Sequence, residues 1–178
     1  QAKQFGFSRT PADHIGMLAT TINGLTLQQC LASIGVPSHV MSALNTESIV
    51  EQYTWNGAMQ TLERGEIVIF VGGTGNPYFT TDTAAALRAS EINAEVLLKA
   101  TKVDGIYDKD PMRYSSAVKY PHLTYADVLT KKLNVMDATA IALCRENGIP
   151  IHVFNLFKKG ALLKAICEKK GGSLVTGE

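Results

Sequence analysis

The stretch Ile67-Val68-Ile69-Phe70-Val71 is a continuous β-branched and aromatic run. It passes without a break into Gly72-Gly73-Thr74-Gly75-Asn76-Pro77-Tyr78-Phe79-Thr80-Thr81-Asp82 and then into an alanine-rich segment ending near Ile92. Such a run suits a strand buried on both faces rather than one with a wet side. A second apolar run, Val96 to Ala100, comes next, so the local order is strand, glycine loop, helix, strand. That order favours parallel strands joined by a helical crossover.

The remaining segments continue the alternation. Thr10, Pro11 and Asp13 read as a helix start, with threonine at the N-cap, proline at the first helical position and an acid three residues after the cap. Ile15, Leu18, Ile22, Leu25, Leu27, Leu31 and Ile34 give this helix an apolar stripe, which Gly35 and Pro37 end. Val40 to Leu44 is expected as a short strand and Tyr53 to Arg64 as a helix. Thr124 with Asp127, and Asn134 with Asp137, mark two further capped helix starts. Ile151 to Phe154 is a third apolar strand, Ala161 to Glu168 a last helix, and Ser173 to Thr176 an edge strand. The expectation is an α/β fold whose mainly parallel sheet is covered by helices on both faces.

Composition narrows the partners. The 178 residues fit one domain with an ordinary core, and 46% hydrophobic against 19% charged residues argues for a globular chain. A formal net charge of +1 supplies no field toward nucleic acid or anionic lipid, so neither a nucleic acid nor a membrane is expected as a partner. Cys30, Cys144 and Cys167 are far apart and lack metal-site spacing, and no apolar run approaches spanning length. Gln1 to Thr10 has no signal-peptide core, and a reduced, cytoplasmic protein is the simplest reading.

Ligands of open α/β sheets sit beyond the carboxyl ends of strands, which directs attention to the loop after Val71. Its glycines let backbone amides approach an anion, the following helix offers its N-terminus, and Thr74, Asn76, Thr80 and Thr81 add side-chain donors. No Gly-Lys-Ser/Thr follows, so it is not a Walker A loop, and Tyr78 stands where a dinucleotide fingerprint needs its third glycine. The bland alternative is a chain reversal with Thr81 or Asp82 as a helix cap. A second candidate, Lys99-Ala-Thr101-Lys102-Val-Asp104-Gly105-Ile-Tyr107-Asp108-Lys109-Asp110-Pro111, is a strand ending in a charged turn. Spacing alone leaves it open between a nucleotide lip and a solvated turn.

The string GTGNPYFTTD resembles the UMP-binding loop of bacterial UMP kinases, members of the amino-acid kinase superfamily. KATKVDGIYDKDP is similar to their ATP-binding segment, and DHIGMLATTINGL and Val135-Met136-Asp137 resemble further family strings. The resemblance implies a three-layer αβα sandwich and transfer of the γ-phosphoryl group of ATP to UMP. It further implies UMP contacts from Asp13 and from Thr74, Gly75, Asn76, Pro77, Tyr78, Phe79, Thr80 and Thr81, and ATP contacts from Thr101, Tyr107 and Asp110. Asp82 would organise charge around the transferring group, and Asp137 would help order the nucleotide site. Helix capping is the competing role for Asp13, Asp82 and Asp137.

Mg2+ is expected with ATP rather than in a protein metal site, and none of His14, His39, His122 and His152 is expected as a base. The family implies a homohexamer and UTP or GTP as effectors, although Gln28 and Glu66 stand where the GTP-responsive members are expected to have arginine. Residues 1–178 read as one amino-acid kinase domain without the Lys-Leu-Ser-Gly strand and second glycine loop that open the family pattern. The alternatives are a noncatalytic nucleotide-binding or regulatory module, or a superfamily phosphotransferase acting on aspartate, glutamate or carbamate.

Overall fold

The computed structural model describes residues 6–46, 48–168 and 171–177. Lys169 and Lys170, a pair that the sequence alone marks as a solvated face or a helix end, lie outside the described residues. The chain divides into two compact units, Gln1–Ala84 and Ala85–Glu178.

In the first unit, helix α1 (Arg9–Ser33) leads into strand β1 (Ser38–Ser42), the short strand β2 (Glu51–Gln52), helix α2 (Trp55–Glu63) and strand β3 (Ile67–Val71). The three strands form a parallel sheet in the order β2-β1-β3, with Met41 opposite Phe70 and Ser42 opposite Val71. Thr54 caps α2 by accepting the Gly57 N–H at 3.1 Å. Strand β3 lies at the edge of this sheet and only Val71 is buried, so the expected burial on both faces holds at its carboxyl end alone.

α1 begins two residues earlier than the sequence suggests, with Ser8 as N-cap and no side-chain cap bond. The Thr10–Asp13 capping box does not form, because both side chains are used by Tyr78 instead. The buried face of α1 carries Met17, Thr21 and Gly24, while Ile15, Leu18 and Ile22 are exposed. Of the expected apolar stripe, Leu25 packs against the core of Val40, Val50 and Val71, while most of the rest faces away from the sheet. Close approach decides this: a Cβ at Gly24 would meet Val71 Cγ1, with Ile69 Cγ2 and Val40 Cγ1 each at 3.4 Å.

The boundary between the units falls within helix α3 (Thr81–Glu91). The second unit then holds strand β4 (Leu97–Thr101), the ribbon strands β5 (Ile106–Tyr107) and β6 (Lys119–Tyr120), and strand β7 (His122–Thr124). Helices α4 (Tyr125–Thr130) and α5 (Ala138–Glu146), strand β8 (Ile151–Asn155), a short helix α6 (Ala161–Leu163) continuing as a π-helical turn, and strand β9 (Ser173–Thr176) complete it. The main sheet runs β4-β8-β9-β7. Strand β9 is thus central rather than an edge, antiparallel to β8 and parallel to β7. The expected α/β class with mainly parallel strands is what the chain adopts.

The core of this unit packs Leu97, Ile106, Leu123, Val128, Ile141, Ile151 and Val175 together. Thr124 and Asp127 form the capping box read from the sequence. The Lys131 ammonium, and then the Thr124 amide, push the Asp127 carboxyl down to about 2. The second cap differs in detail: Asp137 itself caps α5 by accepting the Ala140 N–H at 3.0 Å, without Asn134.

Replacing Gly24 with valine tests the close approach. Displacement of α1 from the sheet should cost about 1–3 kcal/mol in denaturant unfolding, and Gly24→Ala should cost less because alanine regains about 1 kcal/mol of helix propensity.

Candidate active site

The glycine loop is wired to α1 at both ends. At its start, the Thr20 hydroxyl donates to the Met17 carbonyl at 2.7 Å and accepts the Gly72 N–H at 2.8 Å. Gly72, Gly73 and Gly75 have φ of 77, 61 and 79°, a region that favours glycine. At Gly75 a Cβ would also press on the Ala43 carbonyl oxygen at 3.0 Å, whereas at Gly73 the nearest atom, Met17 Cγ, lies 4.0 Å away. Thr74 and Asn76 close a local turn, with the Asn76 N–H donating to the Thr74 hydroxyl at 3.2 Å.

Farther along, Tyr78 adopts φ 76°, an uncommon conformation for a residue with a bulky side chain. Asp13 and Arg9 hold it through three contacts. The Asp13 carboxylate accepts its N–H at 2.8 Å, Arg9 donates to its carbonyl at 3.1 Å, and the Arg9 guanidinium lies 4.7 Å from the centre of its ring. Arg9 also pairs with Asp13 at 3.5 Å. Thr80 then caps α3, accepting the N–H groups of Asp82 at 3.1 Å and Thr83 at 3.2 Å. The cap thus falls at Thr80, one residue before the expected Thr81 and two before Asp82, and Asp82 sits in the first turn of the helix, where a negative charge is favoured.

Asp13, Gly16, Met17, Thr20, Gly73, Thr74, Phe79, Thr80 and Thr81 surround one recess of about 210 Å³. Five residues read from the sequence as UMP contacts therefore share a wall: Asp13, Thr74, Phe79, Thr80 and Thr81. Gly75, Asn76, Pro77 and Tyr78 shape the loop without lining that recess.

In the second unit, Tyr107 and Asp110 border a recess of about 410 Å³ together with Gly105, Asp108, Lys132 and Asn134. The Tyr107 hydroxyl donates to Asp104 at 2.6 Å, and Lys119 reaches the same carboxylate at 3.3 Å. These two donors, Tyr107 first, hold the Asp104 carboxyl below its usual range, and the same bond raises the Tyr107 phenol. The pairing thus lends stability above the ordinary aspartate range and loses it as pH falls through the lowered value. Asp110 accepts the Met112 N–H at 2.9 Å and pairs with Arg113 at 3.3 Å. Thr101 ends β4 and turns inward on its own loop, donating to the Val103 carbonyl at 2.7 Å, and does not line the recess.

The sequence profile described as "Amino acid kinase family" matches residues 1–155. The chain belongs to the amino acid kinase family. A curated protein of Protochlamydia amoebophila (strain UWE25) named uridylate kinase is 64% identical over 154 residues, 86% of this chain and 61% of that protein. The chain thus spans about three fifths of the length of that relative. A crystal structure of UMP kinase from Ureaplasma parvum superposes with a TM-score of 0.92 at 42% identity, covering 98% of this chain and 75% of the other. A UMP kinase structure from Bacillus anthracis gives a TM-score of 0.94 at 37% identity, covering 99% and 73%.

Within this family member, two residues that sequence reasoning missed support the first recess. Thr20 fixes the loop's start and Arg9 clamps Tyr78. Nothing in the sequence separates Thr20 from Thr21, and Arg9 precedes the expected helix start. All three cysteines are free, and burial pushes the Cys144 thiol up to about 11. His39 pairs with Glu66 at 2.9 Å, His152 is buried against the Gly171 carbonyl, and no cluster of three or more metal-ligating side chains occurs among the described residues. No helix among the described residues is long and apolar enough to cross a membrane.

Removing the clamp should release Tyr78. In Asp13→Ala, hydrogen exchange at the Tyr78 amide is expected to quicken by about tenfold or more, while the Thr83 amide, held by Thr80, stays protected.

Proposed function

We propose that the polypeptide containing this chain transfers the γ-phosphoryl group of ATP to UMP, giving UDP and ADP. The observation that carries this reading is the glycine loop fastened to α1, which gathers Asp13, Thr74, Thr80 and Thr81 around one recess. Proteins named uridylate kinase and UMP kinase resemble the chain through this region. In this reading Asp13 and Thr74 to Thr81 hold UMP, and Thr101, Tyr107 and Asp110 hold ATP. Thr101 contributes by shaping the loop rather than by lining the recess.

The acceptor oxygen of a phosphate is already anionic, so transfer needs positioning and charge neutralisation more than a general base. Asp82 in the first turn of α3 and Asp137 at the cap of α5 offer hard oxygen donors, the ligand type that suits Mg2+. In this reading the ion arrives with the nucleotide phosphates. Bound there, Mg2+ would neutralise phosphate charge, and the carboxylates would orient the nucleotide complex. The same reading places the chain within one amino-acid kinase domain, in a cytoplasmic homohexamer open to UTP or GTP as effector.

Full-length protein given MgATP should phosphorylate UMP faster than aspartate, glutamate or carbamate. Equal rates would overturn the assignment, and UMP binding without turnover would mark a noncatalytic nucleotide-binding module. In Asp82→Asn, turnover should fall on the order of 100-fold with little change in UMP affinity. Unchanged turnover would leave Asp82 with a helix-dipole role alone.

A further inference from the structure

The ribbon of β5 and β6 carries Tyr107, yet among the described residues it shares no ladder with the four-stranded sheet beside it. One side chain spans the gap at the level of the backbone. Ser173, the first residue of the central strand β9, is 1% exposed. Its Oγ accepts the Ile106 N–H at 2.8 Å, and its hydroxyl donates to the Tyr120 carbonyl. Ile106 and Tyr120 are partners across the ribbon, so a single hydroxyl fastens both strands at one register position. Buried backbone groups need partners, and here the partner comes from the sheet rather than from the ribbon.

The surroundings depend on that bond. Gly105 passes so close that a Cβ there would meet Ser173 Oγ and Lys119 Cε. On either side of Gly105 and Ile106, Asp104 and Tyr107 are joined by the 2.6 Å hydrogen bond that Lys119 supports. Moving Ile106 would move all of them. A second link, the Leu174 N–H to the Pro121 carbonyl at 3.0 Å, holds the ribbon's exit but not Tyr107.

We propose that Ser173 is a positioning residue for the donor nucleotide: its hydroxyl fixes where Tyr107 and Asp104 stand, and thereby sets ATP affinity without touching ATP. This rests on the reading of the Tyr107 recess as the donor site. The test uses full-length protein and its Ser173→Ala and Ser173→Thr variants, with amide exchange at Ile106 and Tyr107 and calorimetric binding of MgATP and UMP. In Ser173→Ala, exchange at both amides should quicken and the Kd for MgATP should rise about tenfold, with the Kd for UMP unchanged. Threonine keeps the hydroxyl on a strand-favouring residue and should restore both readouts. Should the alanine variant prove too unstable to measure, Ser173→Cys, with a weaker hydrogen-bonding group of similar size, should give intermediate values.

Unchanged MgATP affinity in Ser173→Ala would overturn the proposal, as would equal weakening of MgATP and UMP binding together with a lowered Tm. Wild-type protein that binds no MgATP would remove the donor-site reading and the proposal with it. In that event the exchange data at Ile106 would still show whether Ser173 anchors the ribbon.

Discussion

The approach of α1 to the three-stranded sheet, set by the missing side chain of Gly24, is the constraint on which the first unit depends. Positions 13, 17, 20 and 24 recur at helical spacing along one face of α1. Gly24 admits Val71 and its neighbours, and one turn back Thr20 binds the amide of Gly72, the residue after Val71. Another turn back, Met17 lines the recess, and Asp13 then holds Tyr78. The same face therefore begins as core and ends as a wall of the recess. A shift of α1 at Gly24 would be passed to every loop contact above it, because an α-helix is stiff over this length.

The second unit solves a similar problem with polar side chains. Its ribbon is too short to be stable alone, since isolated two-stranded hairpins are marginal in water. Ser173 and the Asp104–Tyr107–Lys119 group supply what the short ladder lacks. Each member of that group meets a complementary one: phenol donor to carboxylate, ammonium to the same carboxylate. A pairing of this kind orders a charged loop where apolar packing alone would leave its polar groups unmatched.

How much of this is legible in sequence follows from the range of each interaction. Strands β3 and β8 and helix α1 are evident because their signals, β-branched runs and helical periodicity, are local. The Thr124–Asp127 box is evident for the same reason, both partners lying within one turn. The Thr10–Asp13 pair carries an identical signature but fails, since Tyr78, more than sixty residues away, competes successfully for both side chains. Strand β9 reads as an edge because its apolar run is short, yet pairing on both sides makes it central. The loop residues of the candidate site are visible as glycines and threonines, whereas Arg9, Thr20 and Ser173 act through backbone groups distant in sequence and leave no pattern.

Charge in the first unit carries a last consequence for the proposed reaction. From Gly6 to Ala84 the chain contains two arginines, Arg9 and Arg64, and no lysine. Arg64 is paired with Glu66 at 3.0 Å, and Arg9 is divided between Asp13 and Tyr78. Neither stands ready to neutralise a phosphate, and Asp82 adds a negative charge at the start of α3. A nucleotide monophosphate in this recess would be held by amides and hydroxyls, which orient an anion while leaving most of its charge. Among the described residues of this unit neither arginine is left to offset that charge, and in the proposed reaction the metal ion that accompanies the donor would supply compensation.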